Sequence, residues 1–257
     1  MLVAGPNLTI DRTMAIDELR PGEVLRFDAV AVTPGGKGVN VARVARDLGA
    51  QAVLVGFVPG RDKPALVLRV DVANVYGDKP AAPAFSHVID DAIGHAVRLD
   101  AACVCVNLFE IPGEDALRLG CIENITRLRT AADAAGMPVM VEPLVMARQA
   151  GGYGVDGDTE RIVALVRQAA ELGADVIKAD PTDDLSAYHR VVTTAGATPV
   201  LVRGGGRVSD EEILQRTRTV LDQGARGIVY GRNVIQHPDP AGMVSALRAL
   251  VHGDQTT

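Results

Sequence analysis

The 257-residue sequence predicts an α/β protein of the (β/α)8, TIM-barrel-like class. Short apolar runs alternate with amphipathic stretches of helical length. Each run is continuous rather than alternating, as for strands covered on both faces. Aromatic residues make up only 3% with no Trp, so the core is built from Val, Leu, Ile and Ala, the mixture that buried parallel strands flanked by helices need.

In chain order, "MLVAGPN" (1–7) and "QAVLVGF" (51–57) predict strands. Between them lie an extended excursion over 23–36 and a helix over Gly38–Leu48. "VPGRDKP" (58–64) is too short to carry a crossover helix between parallel neighbours. Either its flanking strands are not parallel neighbours or the chain is joined there from two sources. From residue 65 the order is regular: strands over 65–72, 101–108, 138–144, 174–180, 199–206 and 226–233. The intervening helices are Pro83–Leu99, Gly113–Ala135, Thr159–Leu172, Leu185–Ala195, Ser209–Gln223 and Pro240–Val251. Gly136, Gly173, Gly196 and Gly224 each stop a helix before a new strand. "SDEE" at Ser209–Glu212 predicts a capping box. With the first two strands the total reaches eight, the barrel number.

Net charge is −6, with both signs interleaved. Without a basic stripe or stacking aromatics, nucleic acid is not the expected partner. The start has no basic region and no apolar run long enough for a signal peptide or membrane span, so no membrane is expected and the cytoplasm is the expected location. Cys103, Cys105 and Cys121 fit neither a zinc knuckle nor a redox pair. Cys103 and Cys105 share one strand face and are expected as small apolar fillers; no metal is expected.

Barrel chemistry gathers at the carboxyl ends of the strands. Lys178 ends an apolar strand, where an ammonium is costly to bury. It is either an amine that attacks a carbonyl or a lysine that snorkels out or pairs with Asp180. Glu142 ends the preceding strand, as a proton shuttle or a counter-ion for the lysine. Asp71 and Asn107 sit at strand ends as ligand contacts or helix caps. "RGGGRVSDEE" and "YGRN" follow the last two strands, where barrels hold phosphate. Gly204, Gly205 and Gly231 offer bare backbone amides there, and Arg232 a guanidinium. The other reading is two turns that simply require glycine.

Five stretches, "KPALVLRVD", "AAGMPVMVEPL", "AAELGADVIKAD", "PVLVRGGGRVSDEEIL" and "DQGARGIVYGRNVIQHPDPAGMVSALRALVHG", lie within residues 63–253. They resemble the class I, Schiff-base fructose-bisphosphate aldolases of the archaeal type, within the deoxyribose-phosphate aldolase superfamily. The resemblance implies that Lys178 forms an imine with a phosphorylated ketose, and that Gly204, Gly205, Gly231 and Arg232 hold its phosphate. It also implies that no metal or organic cofactor is needed and that the protein is a homo-oligomer. Two features of that family are missing: a Tyr after the strand that here reads "EPLVM", leaving Glu142 or Tyr153 as the shuttle, and a first strand ending in Asp-His.

Residues 1–60 instead resemble the amino-terminal part of ribokinase-like sugar kinases of the 1-phosphofructokinase type, through "MLVAGPNLTIDRT", "TPGGKGVNVARVARDLGA" and "VLVGFVPG". This implies that Asp11, Gly35, Gly36, Lys37 and Asn40 match sugar contacts. The kinase's Gly-Ala-Gly-Asp segment, with its base and anion hole, is absent, so phosphoryl transfer lacks its chemistry. The expected organisation is a kinase-like segment over 1–60, supplying atypical first βα units, and an aldolase-like barrel over 61–257. The rival functions are a catalytically impaired phosphosugar-binding chimera and a residual sugar kinase.

Overall fold

The structure, a computed structural model, describes residues 2–4, 9–13, 31–35, 53–55, 65–75, 83–149 and 152–253. The chain divides into two compact units, Met1–Leu66 with Arg98–Asp100, and Val67–Val97 with Ala101–Thr257.

In the first unit, β1 (Leu2–Ala4) runs parallel to β4 (Val53–Val55), and β2 (Thr9–Thr13) pairs antiparallel with β3 (Ala31–Gly35). Both expected strands are therefore present. The helix expected over 38–48 and the joint over 58–64 lie outside the described residues, as do Gly36, Lys37 and Asn40.

The second unit carries the parallel-strand half-barrel. Its strands are β5 (Leu66–Arg69), β8 (Ala101–Glu110), β9 (Val139–Gln149), β11 (Val176–Ala179), β12 (Val200–Arg203) and β13 (Gly227–Val229), in the order β13-β12-β11-β9-β8-β5. The pairings from β8 to β13 are parallel, as continuous apolar runs separated by helices require. The helices are α1 (Ala92–Arg98), α2 (Asp115–Ala135), α3 (Thr159–Glu171), α4 (Tyr188–Thr194, after a 3-10 turn at Leu185–Ala187), α5 (Asp210–Asp222), α6 (Arg232–Ile235) and α7 (Pro240–His252).

Helix α2 buries Leu117, Cys121, Asn124, Ile125, Leu128 and Ala132. Steps of three and four keep these on one stripe, which packs with the outer faces of β8 and β9 in a single aliphatic core. Asp158, Ser209 and Asp239 cap α3, α5 and α7 through their side-chain oxygens. The box at Ser209 is half formed: Ser209 accepts from Glu212 N at 3.2 Å, while the Glu212 carboxylate pairs with Arg216 at 2.7 Å. All four expected stop glycines have positive φ. At Gly136 the left-handed turn returns the amide to Ala132 O and Asp133 O, a closure that a side chain would strain.

Two expectations are corrected. The strand expected over 65–72 breaks at Val70. There the Val70 amide bonds Cys105 O and its carbonyl bonds the Ile89 amide. The chain then leaves the main sheet as β6 (Asp71–Ala73), paired antiparallel with β7 (Ser86–Val88). Consequently the helix expected from Pro83 starts only at Ala92, after Asp91 at φ 50°. Asn74 fixes the excursion, accepting from Phe85 N at 2.7 Å and donating to Pro83 O at 3.0 Å. The strand expected to end at residue 144 continues to Gln149, because β10 (Gly152–Val155) folds back antiparallel onto it.

Candidate active site

The side-chain period of a strand is two, so Cys103 and Cys105, then Met140, Val176 and Leu201, fall on one face of the sheet. They pack together as a small cluster separate from the main core. Burial pushes the Cys105 thiol up to about 11; it stays a thiol at neutral pH, as the filler reading expects. Two residues further along β9, β11 and β12 come Glu142, Lys178 and Arg203. A charged layer thus covers an apolar one at the carboxyl ends of the strands.

Glu142 is the hub. It is 2% exposed and pairs with Lys178 Nζ at 3.0 Å, with Arg203 Nε at 3.2 Å and with the Arg69 guanidinium. Burial raises its pKa, but Arg69, Lys178 and Arg203 outweigh that, and the carboxyl is held below its ordinary value. A buried carboxylate is tolerable only with such compensation.

The network continues on both sides. Arg69 Nη1 donates to Asp71 Oδ1 at 3.1 Å. Asp71 Oδ2 accepts from Asn107 N at 3.0 Å, Asn107 Nδ2 at 2.8 Å and Ser86 Oγ at 3.0 Å. Asp71 and Asn107 are thus tied to each other, pinning the β6–β7 excursion to β8. On the other side, Arg203 Nη1 donates to Asp180 Oδ1 and Oδ2 at 2.8 and 3.1 Å. Of the alternatives open for these residues, the Lys178–Asp180 pairing gives way to another: Lys178 pairs with Glu142, as the counter-ion alternative for that carboxylate has it, and Asp180 pairs with Arg203. Tyr153, the alternative shuttle, lies on β10 and donates to Glu114 at 2.5 Å, under the Arg148 guanidinium.

The Lys178 side chain is 16% exposed, with its amine held at 3.0 Å from Glu142 Oε1. The glycine turns follow β12 and β13 at the same end of the sheet. A Cβ on Gly204 would lie 2.8 Å from the Tyr230 ring, and Gly205 has φ +62°; each of those positions requires glycine. Arg232 is exposed and donates to Gly205 O at 3.0 Å. Gly231 precedes α6. A cavity of about 1020 Å³ opens here, lined among others by Asp180, Arg203, Gly205, Gly206, Arg216 and Arg232.

Asn233, unmarked in the sequence, ties the two turns. Its Nδ2 donates to Gly204 O and Gly206 O at 3.2 and 3.0 Å, and its Oδ1 accepts from Val208 N at 3.0 Å. It is 4% exposed, so Asn233→Ala strands three backbone groups. That change is expected to cost about 1–3 kcal/mol, read as an unchanged m-value with a lower urea midpoint, together with faster hydrogen exchange at the Val208 amide.

Residues 16–237 match the family described as "DeoC/LacD family aldolase", a span that includes most of the segment resembling sugar kinases. An uncharacterized aldolase of Saccharolobus solfataricus is 30% identical over 198 residues, covering 75% of this chain and 70% of that protein. The 2-amino-3,7-dideoxy-D-threo-hept-6-ulosonate synthase of Halobacterium salinarum is 42% identical over 134 residues, 51% of this chain and 49% of its own length. The 3-hydroxy-5-phosphonooxypentane-2,4-dione thiolase of Salmonella typhimurium is 30% identical over 80% of this chain and 65% of its own length. Among solved structures, a Schiff-base-forming fructose-1,6-bisphosphate aldolase superposes with a TM-score of 0.64 at 29% identity, covering 82% of this chain and 83% of that one. An archaeal fructose 1,6-bisphosphate aldolase gives 0.63 at 29% identity, covering 84% of each.

Proposed function

The chain belongs to the DeoC/LacD family of aldolases, and on that premise we propose that it is a lyase that makes or breaks a carbon–carbon bond through a Lys178 Schiff base. The observation that carries this is the Lys178 Nζ–Glu142 contact at 3.0 Å, on the face and at the strand end where the glycine turns also lie. To attack a ketone, Lys178 must give up a proton, and Glu142 is within reach to accept it. The carbinolamine then loses water, and the resulting iminium keeps a positive charge at the position where Glu142, 2% exposed, already balances an ammonium. The iminium serves as electron sink for the carbon chemistry.

The proposed substrate is a phosphorylated ketose such as fructose 1,6-bisphosphate. The named relatives act on several different compounds, so the sugar is part of this proposal and not of the family assignment. Its phosphate would rest on the amides of Gly204, Gly205 and Gly231, with Arg232 alongside. Asp71 and Asn107, bonded to each other at 2.8 Å, would act by holding Arg69 against Glu142. We further propose that residues 1–60 form a ribokinase-like segment distinct from the aldolase-like barrel of 61–257. Asp11 and Gly35 of that resemblance fall in the paired strands β2 and β3.

The test is borohydride reduction in the presence of dihydroxyacetone phosphate, followed by peptide mass analysis. A covalent adduct on Lys178 is expected; an unlabelled Lys178 under saturating ketone rejects the mechanism. ATP-dependent phosphorylation of a sugar phosphate by the same protein would favour the kinase reading instead.

A further inference from the structure

We propose that Asp180 is the proton carrier of the carbon–carbon step, taking the proton of the substrate hydroxyl beside the scissile bond in cleavage and returning it to the aldehyde oxygen in synthesis. The inference rests on the Schiff-base reading above and assigns the step that reading leaves without a group.

Glu142 is poorly placed for that work. Three cations, Arg69, Lys178 and Arg203, already occupy its two oxygens, and its proton exchange is with the Lys178 amine. Asp180 and Arg203 line the 1020 Å³ cavity, whereas neither Glu142 nor Lys178 does, so Asp180 is the carboxylate of this network that meets the open space. Asp180 stands two residues beyond Lys178, immediately after β11 (Val176–Ala179), close enough to the Lys178 amine to interact with it electrostatically.

Asp180 is 2% exposed, and among the described residues its carboxylate accepts from one guanidinium nitrogen, Arg203 Nη1. The titratable and charged groups around it are Arg203 from β12, Glu142 from β9, Lys178 from β11 and the buried Tyr188 from α4. Burial pushes its pKa up, and Arg203 pulls it back only in part, whereas Glu142 is shifted down. Neighbouring carboxyls displaced in opposite directions take different proton-transfer roles. Arg203 touches both, so it keeps the two apart in space and in charge.

The step balances as follows. In the Lys178 iminium of the ketose, the Asp180 carboxylate removes the proton of the hydroxyl on the carbon that becomes the aldehyde. The oxygen–hydrogen electron pair becomes the second carbon–oxygen bond. The carbon–carbon bond breaks, and its pair moves toward the iminium nitrogen, leaving a neutral enamine. Asp180 ends protonated, and the reverse sequence forms the bond.

The experiment compares the wild-type protein with Asp180→Asn and Asp180→Glu in two assays. One is borohydride trapping of Lys178 with dihydroxyacetone phosphate. The other is aldol product formation from that ketone and a set of short aldehydes, including glyceraldehyde 3-phosphate. Asp180→Asn is expected to trap the ketone as the wild type does, which also reports an intact fold, while product formation falls by roughly 100-fold or more. Asp180→Glu is expected to regain part of it. Product formation by Asp180→Asn within about threefold of wild type overturns the inference, as does wild-type trapping without any aldol product. Loss of trapping together with product in Asp180→Asn assigns the residue a structural role and overturns it too. A wild-type protein that traps nothing overturns the Schiff-base reading itself.

Discussion

Replacing Lys178 with methionine is expected to abolish the borohydride-reducible adduct and to lower aldol turnover by roughly 10⁴- to 10⁶-fold, the loss that follows removal of a covalent nucleophile. Methionine keeps the length and apolar stem of the side chain, so the volume at this position is largely retained. The charge balance is not. Glu142 loses one of its three cations but keeps Arg69 and Arg203, so the protein should remain folded. Circular dichroism and mass analysis after reduction separate the two effects. An adduct that persists on another residue in Lys178→Met would place the nucleophile elsewhere.

The larger structural penalty belongs to Glu142→Gln. The amide has nearly the shape of the carboxylate, so the change isolates charge. Arg69, Lys178 and Arg203 then face one another around a neutral group in a site where Glu142 is 2% exposed. Removing one partner of a buried ion network costs about 3–5 kcal/mol. In a chain of this size that is a fall in Tm on the order of 10 °C. The double variant Lys178→Met/Glu142→Gln should be less destabilised than the sum of the singles, because it carries one fewer uncompensated cation.

The sign of the pH effect follows from the lowered pKa of Glu142. The unfolded carboxyl takes up its proton near 4.5 and the folded one below that value. The stabilisation is therefore complete above pH 4.5 and is lost as pH falls through the folded pKa. Asp180, shifted up, acts in the opposite sense, favouring the folded state on acidification. Wild type should lose stability below pH 4.5 more steeply than Glu142→Gln, which lacks the first contribution. Parallel acid limbs in urea titrations would contradict this assignment.

Much of this arrangement was legible in the sequence because apolar strands make charged residues conspicuous. Lys178 and Glu142 stand out as the charges that interrupt "VIKAD" and "VMVEP", and the structure places them 3.0 Å apart. The same signal is present at Arg69 in "LVLRVD" and at Arg203 in "VLVRGGG", where the adjacent Asp71 and the glycines are the more conspicuous residues. For Asp180 the sequence offers only a pairing with Lys178. Strand pairing in three dimensions was needed to show that Arg203, 23 positions from Asp180, takes that partner instead.

Other features left no local trace. Asn233 looks like any polar residue after a turn, and its role exists only because two loops distant in sequence meet around its amide. The β6–β7 excursion was hidden because "PAFSHVIDDAIGHAVRL" has enough apolar residues at helical spacing. The Asn74 hydrogen bonds to Pro83 and Phe85 and the left-handed Asp91 override that periodicity.

The linked row Asp71, Arg69, Glu142, Arg203, Asp180 alternates in sign along its length, with Lys178 joined to it at Glu142. Anyone seeking to retarget this pocket by mutagenesis would therefore do better to change members in matched pairs, an acid with its adjoining base, than one at a time. Single replacements at the Glu142 hub should yield few folded clones, whereas paired swaps that preserve neutrality should yield folded proteins whose preferences can be screened.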